Sequence, residues 1–407
     1  MPITDDDIKT YIREAFDNQN LSSCEITLTG SNEKTDGYAS FINFATVSTT
    51  TKDGTREDTH IAVKVARESL LQSFRYAFER ESYIYSTILP KFNAFQKENK
   101  VAEVFSSFPK CYKTVSDEKV ELIIMDDLKK KGYELYDRKK PMDLDHLKLV
   151  LQEYAKLHAI PFALRHKKKE EFKQLVGDFK DNMITIFDDS WRRMLAQGFE
   201  KAGGVMKEKG KLHLYQMCEG IIKKNAGDMM MELLTTEEPV SAILHGDCWN
   251  NNFLFEYKVE NSTRIPLQVA IVDWQLSRLH SPVVDLSYFL YSTSSEEQLE
   301  HFDELLEVYY ESFSKCIEEL GCDPEQLFPM STLKSHWKKY SLYGLFMVVL
   351  CLHVMMSDKE ETADIDVDSD NSEERNQSFM DMKIKNVGEY HKRLAAVLGH
   401  YYEYTKQ

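Results

Sequence analysis

A chain of 407 residues is long enough for two or three domains with a large core, and its formal charge of −16 at pH 7 provides no cationic excess for a nucleic-acid backbone. The same balance disfavours docking on an anionic membrane. Seven cysteines, with no C-x-x-C pair and no His/Cys ligand spacing, read as reduced thiols of a cytoplasmic protein, and the acidic start through Asp7 lacks the basic and apolar regions of a signal peptide.

In chain order, Thr4 followed by Asp5, Asp6 and Asp7 predicts a helix start, with an oxygen for the orphan amides and negative charge at the positive dipole end; the helix runs to about Phe16. Three β-type runs follow, Ser23 to Thr29, Ala39 to Ser48 and Thr59 to Val65, separated by Asp36-Gly37 and by Lys52-Asp53-Gly54, an antiparallel meander. Alternation in the third run puts Ile61, Val63 and Val65 on one face and Lys64 on the other. A helix from Ser69 to Ser86 carries Phe74, Phe78 and Tyr85 with Glu81 at their flank, and Pro90 is expected to end it. A fourth β-type run, Val120 to Met125, leads into Asp126-Asp127-Leu128, after which the composition turns helical from Leu144. That shift sets the expected division into 1–128 and 129–407.

Further on, Asp358 to Glu374 holds nine carboxylates among seventeen residues and reads as a solvated loop. The apolar run Leu342 to Met356 falls short of the ~20 residues that span a bilayer, so a buried helix is expected there.

The chemistry concentrates in His245-Gly246-Asp247-Cys248-Trp249-Asn250-Asn251-Asn252, an H-G-D-x-x-x-x-N pattern after an apolar strand-like run. A carboxylate and a carboxamide five residues apart on one loop suit phosphoryl transfer: Asp247 to take the acceptor proton, Asn252 to hold a metal ion on a triphosphate. A second strand-like run ends at Asp273, placed for another metal contact. Lys64 needs an anionic partner if buried, and Glu81 is the natural one. His245 lacks the companions of a zinc site and fits a structural task, holding backbone near Asp273. Cys248 has no base to activate it. Asp285, in a helix opened by Ser281-Pro282, is expected to cap that helix and pin the loop. The Asp36-Gly37 turn is the one candidate for a phosphate-gripping loop.

Several motifs together resemble the ecdysteroid kinase-like family, a branch near choline kinases and aminoglycoside phosphotransferases. They are Gly37-Tyr38-Ala39-Ser40, Ala62-Val63-Lys64, Glu81-Ser82-Tyr83-Ile84-Tyr85 before Leu89-Pro90, Met125-Asp126-Asp127-Leu128, Leu157-His158-Ala159, the His245 to Asn252 loop, Asp273-Trp274-Gln275, and Ser281-Pro282 with Asp285-Leu286. Trp249 and Gln275 are its family-specific touches; protein kinases carry H-R-D and D-F-G instead. The resemblance implies an α+β, two-lobed protein-kinase-like fold, with a small antiparallel-sheet N-lobe and a large, mainly helical C-lobe. It further implies ATP between the lobes, Lys64 on the α/β phosphates and held by Glu81, adenine on the backbone around Asp126 to Leu128, and Mg2+ on Asn252 and Asp273. Gly37, Ser40 and Met125 would line the nucleotide site, and His245, Trp249, Gln275 and Asp285 would support it.

The expected activity is therefore phosphorylation of a hydroxyl on a small, apolar alcohol such as an ecdysteroid or xenobiotic. A choline- or aminoglycoside-type kinase and a non-catalytic kinase-like ligand-binding protein are the alternatives. Phe179, Met183, Phe187, Trp191 and Phe199 could line an acceptor pocket, although their helical spacing favours core packing.

Overall fold

The computed structural model describes residues 3–17, 20–31, 40–67, 71–117, 120–177, 179, 189–236, 238–357, 380 and 384–406. Asp36, Gly37 and Tyr38, the acidic segment 358–374, and Met183 and Phe187 lie outside the described residues.

Helix α1 (Asp5–Ala15) starts with a reciprocal box: Thr4 Oγ1 accepts from Asp7 N at 3.2 Å, and Asp7 Oδ2 accepts from Thr4 N at 2.9 Å. Strands β1 (Leu21–Ser31), β2 (Ser40–Thr51) and β3 (Arg56–Ala66) form the expected meander. Helices α2 (Leu71–Tyr83) and α3 (Leu89–Glu98) precede β4 (Cys111–Ser116) and β5 (Glu121–Asp126), which complete a sheet of order β1-β2-β3-β5-β4. β4 was not foreseen: it is an edge strand with no buried residue, so no apolar alternation announces it.

The alternation in β3 is as expected. Ile61, Val63 and Val65, joined by Leu122 and Ile124 of β5, pack on Ile8 and Ile12 of α1. Lys64 faces the other way, across from Ile42 and Ile123 in its neighbouring strands. On that face Ile123 and Met125 join the main core with Ile84, Tyr85 and Ile88.

Pro90 does not end the helix. The chain makes one π-turn over Ile84–Ile88, closed by Leu89 N–H to Ile84 O, and continues as α3 with Pro90 in its first turn. There a missing N–H is tolerated, because the amides of a first turn have no partner within their own helix.

The rest is mainly helical: β6 (Glu134–Leu135), α4 (Leu144–Lys167), α5 (Lys169–Gly177), α6 (Asp189–Glu208), α7 (Leu212–Lys223), α8 (Ala226–Thr235), β7 (Ala242–Ile243), β8 (Phe253–Glu260), β9 (Thr263–Ile271), β10 (Leu279–His280), α9 (Val283–Thr293), α10 (Glu296–Glu300), α11 (Phe302–Glu319), α12 (Pro324–Leu327), α13 (Met330–Tyr340), α14 (Leu342–Met355) and α15 (Val387–Lys406). Among the described residues no single helix is long and apolar enough to cross a membrane; only α12–α13 and α14 taken together, bent by 46°, reach that length. α14 is apolar all round and almost wholly buried, as expected of a core helix. It meets α9 at backbone distance: Gly344 N donates to Ser287 Oγ at 3.2 Å, and a Cβ at Gly344 would lie 2.4 Å from the Ser287 carbonyl.

α15 closes the core through His400, whose Nδ1 lies 3.1 Å from Tyr291 Oη and whose ring packs edge-on to Phe302. Burial pushes the imidazole down to about 4. The folded state therefore excludes a proton that the unfolded chain takes up below about pH 6.5, and stability is lost as pH falls from there through about 4. Urea unfolding at pH 7 and pH 4.5 should show this loss, up to about 3 kcal/mol from this group, and His400→Phe should flatten that part of the slope.

Candidate active site

β7 delivers the chain from the core into the loop 244–252, which a single buried carboxylate shapes. Asp285, in the first turn of α9, accepts His245 N at 2.7 Å on Oδ2 and Gly246 N at 2.9 Å on Oδ1. His158 Nε2 also reaches Oδ2, at 3.2 Å, and Tyr309 Oη lies 3.1 Å from His158 Nδ1. Burial works to raise the Asp285 carboxyl, but these donors outweigh it and hold the pKa below the usual value. Asp285 does not cap α9, because both its oxygens face the loop; Ser281 Oγ takes the Val283 amide instead. Gly246 has φ +90°, and a Cβ there would sit 2.1 Å from Leu276 O, so only glycine fits.

His245 ties this loop to the segment before Asp273. Burial lowers its pKa, so the ring is neutral at pH 7. Nε2 lies 2.9 Å from Val272 O and must be the donor, since a carbonyl only accepts; Nδ1 faces Tyr154 Oη at 3.2 Å. Cys248 is fully buried, and burial raises its thiol well above the usual range, which removes it as a nucleophile.

The carboxylate of Asp247 has three side-chain donors. Asn252 Nδ2 at 2.8 Å and Trp249 Nε1 at 3.2 Å point at Oδ2, while Tyr288 Oη stands 3.3 Å from Oδ1. Burial, and then the charge of Asp273, push the Asp247 pKa up to about 7 against these hydrogen bonds. Tyr288 was missed in the sequence. The signal lay in helical spacing: Asp285, Tyr288 and Ser292 are separated by three and four residues and so share one face of α9. Ser292 Oγ completes that face by donating to Cys248 O at 3.0 Å.

β8 and β9 pair Phe253 with Ile271, which sets Asn252 beside Val272; Val272 N donates to Asn252 O at 3.1 Å. Asp273 follows with a left-handed φ of +67°, a strained setting for an aspartate at a turn. Its Oδ1 meets Lys64 Nζ at 2.8 Å, and Glu81 Oε2 meets the same ammonium at 2.6 Å. Burial opposes the Lys64 charge, yet the two carboxylates raise its pKa above the ordinary value. Arg80, next to Glu81, donates to Ser277 O at 2.9 Å and lies over the Phe179 ring, so α2 is tied to the chain just beyond Asp273.

Around Asp126 to Leu128 the geometry narrows the expectation. Asp126 N donates to Lys110 O and Asp127 N to His60 O, while the Asp126 carboxylate takes Tyr112 Oη and Lys131 Nζ and that of Asp127 takes the Lys129 amide. These side chains hold the turn. The Leu128 amide is the one in this segment without an acceptor among the described residues. Met125 is buried in β5, and Ser40, two residues before Ile42, shares the Lys64 face of the sheet. Gln275 makes no hydrogen bond among the described residues. Trp274 packs edge-on against His245, with centroids 5.0 Å apart. Phe179 and Phe199 are core residues, buried against Arg80 and Phe346 respectively.

The donors suit magnesium in its usual mode, one or two protein oxygens completed by phosphates and water. Asn252 commits Nδ2 to Asp247 and keeps Oδ1; Asp273 commits Oδ1 to Lys64 and keeps Oδ2. No cluster of three or more His, Cys, Asp or Glu side chains forms an all-protein cage among the described residues.

An antiparallel-sheet lobe bearing Lys64, set against a helical lobe bearing Asp247 and Asp273, is the two-lobed α+β architecture of kinase-like phosphotransferases. The ecdysteroid kinase-like family matches residues 34–322, well over half of the 407, and the chain belongs to that family. Members are kinase-like, and ATP use is general among such proteins. Among curated proteins none matches the chain.

Asp285→Asn turns one acceptor oxygen into an NH2 that meets a buried N–H. The variant should lose about 2–4 kcal/mol of stability, read as a lower urea midpoint at unchanged m-value; a midpoint equal to wild type would contradict this anchoring role.

Proposed function

We propose that this chain is an ATP-dependent phosphotransferase that phosphorylates a hydroxyl of a small apolar molecule, an ecdysteroid or a related xenobiotic alcohol, in the cytoplasm. The observation that carries the reading is Asp247: a partly open carboxylate, oriented by three donors, within electrostatic reach of an Asp273 that is itself paired with Lys64. In the reaction the acceptor oxygen bonds to the γ-phosphorus, the bond to the bridging oxygen breaks, ADP leaves, and the acceptor proton passes to Asp247. Base assistance of this kind contributes ~10²–10⁴ in rate.

Lys64 uses two of its three ammonium donors on Glu81 and Asp273, and the third suits an α/β phosphate oxygen. The Leu128 amide is the donor we assign to adenine. Magnesium held by Asn252 and Asp273 would neutralise charge on the phosphates. An apolar acceptor fits the aromatic flank of Asp247, on the side of Tyr288. The rings of Tyr288 and Tyr343 pack 6.2 Å apart beside it, and two turns along α14 lies the part-exposed Cys351, whose thiol burial and the Asp247 charge push up to about 12.

Asp247→Asn should retain the thermal shift given by ATP with magnesium while losing at least a hundredfold in kcat, and EDTA should silence the wild type. A screen of ecdysteroids, other alcohols and choline with MgATP provides the assay. Turnover by Asp247→Asn at the wild-type rate would sink the assignment, and preference for choline would favour the cationic-acceptor alternative.

A further inference from the structure

We propose that Tyr288 is a positioning residue for phosphoryl transfer, whose hydroxyl fixes the rotation of Asp247 so that the open lone pair of Oδ1 receives the acceptor proton. The inference rests on the function proposed above. Oδ2 of Asp247 already accepts two hydrogen bonds, from Asn252 Nδ2 and Trp249 Nε1, as many as its two lone pairs allow. Oδ1 accepts from Tyr288 alone among the described residues, so we assign the acceptor O–H to Oδ1.

The two donors on Oδ2 both belong to the loop that carries Asp247. Tyr288 belongs to α9, which Asp285 ties to the loop at His245 and Gly246 and which the backbone contact at Ser287 and Gly344 fixes against α14, so it is a donor anchored outside the loop. Tyr288 is 2 % exposed, and its ring packs edge-on against Tyr343. Its distance of 3.3 Å is long for O–H···O, as is common for catalytic contacts before substrate binds. In the transfer step Tyr288 keeps its own proton. The acceptor proton goes to Oδ1 as the new P–O bond forms and ADP departs.

The test uses the full chain with MgATP and an ecdysteroid, and with water as the acceptor if the ecdysteroid is not turned over. Tyr288→Phe should lower kcat about tenfold, leave KM for ATP and acceptor within twofold, and melt within about 2 °C of wild type. In the Asp247→Asn background the same change should have no further effect, because Tyr288 acts through that carboxylate. An unchanged kcat, or an equal additional loss in the Asp247→Asn background, would overturn the proposal while leaving the phosphotransferase reading intact. A wild type that turns over neither acceptor overturns both. Should Tyr288→Phe fold poorly, a fluorinated tyrosine at position 288 keeps the ring and strengthens the donor: a changed kcat at unchanged KM sustains the proposal, and an unchanged kcat overturns it.

Discussion

A carboxylate shut away from water must be met by donors on every side, and Asp285 meets this constraint by recruiting the amides of His245 and Gly246 together with the His158 imidazole. The rest of the loop's geometry follows from it. Two consecutive N–H groups can point at one carboxylate only if the chain bends sharply between them and the next residue, hence the left-handed Gly246 packed onto Leu276. That bend turns Asp247 outward while Cys248 is drawn in and held by Ser292. A loop that in isolation would sample many shapes is thereby given one, by a helix lying forty residues further along the chain.

The second constraint is the ammonium of Lys64, on the sheet face opposite α1. Neither Glu81 nor Asp273 alone would balance it as well, because burial opposes its charge before any partner is counted. Using both ties three parts of the molecule to one atom: β3, α2 and the turn after β9. Arg80 reinforces the link through Ser277, so the helix that carries Glu81 is held against the segment that carries Asp273 in the absence of any ligand.

The parts that could be read in the sequence were those governed by local spacing. Alternation placed Lys64 opposite the Ile61, Val63 and Val65 face, and the H-G-D-x-x-x-x-N pattern marked the loop. What escaped depends on partners distant in sequence. Tyr288 sits in an apolar run, Leu286 to Tyr291, where one more aromatic looks like core, and only the position of the loop makes its hydroxyl distinctive. β4 hides because an edge strand needs no apolar alternation, and Pro90 misled because a π-turn just before it restarts the helix, leaving Pro90 in a first turn. At Asp126 to Leu128 the two carboxylates hold the turn, and among the described residues the Leu128 amide is the backbone donor left over.

The pairing of Lys64 with Asp273 joins residues 209 positions apart, and Glu81 enters the same contact from the first lobe. During synthesis the sheet can form long before β9 emerges, but until then the Lys64 ammonium has one carboxylate and a half-built environment. Loop closure over such a span is slow to be compensated and comes late. The complete contact is therefore a property of the finished chain, and any ligand that needs it would select completed molecules from a folding population while ignoring those with only the first lobe formed.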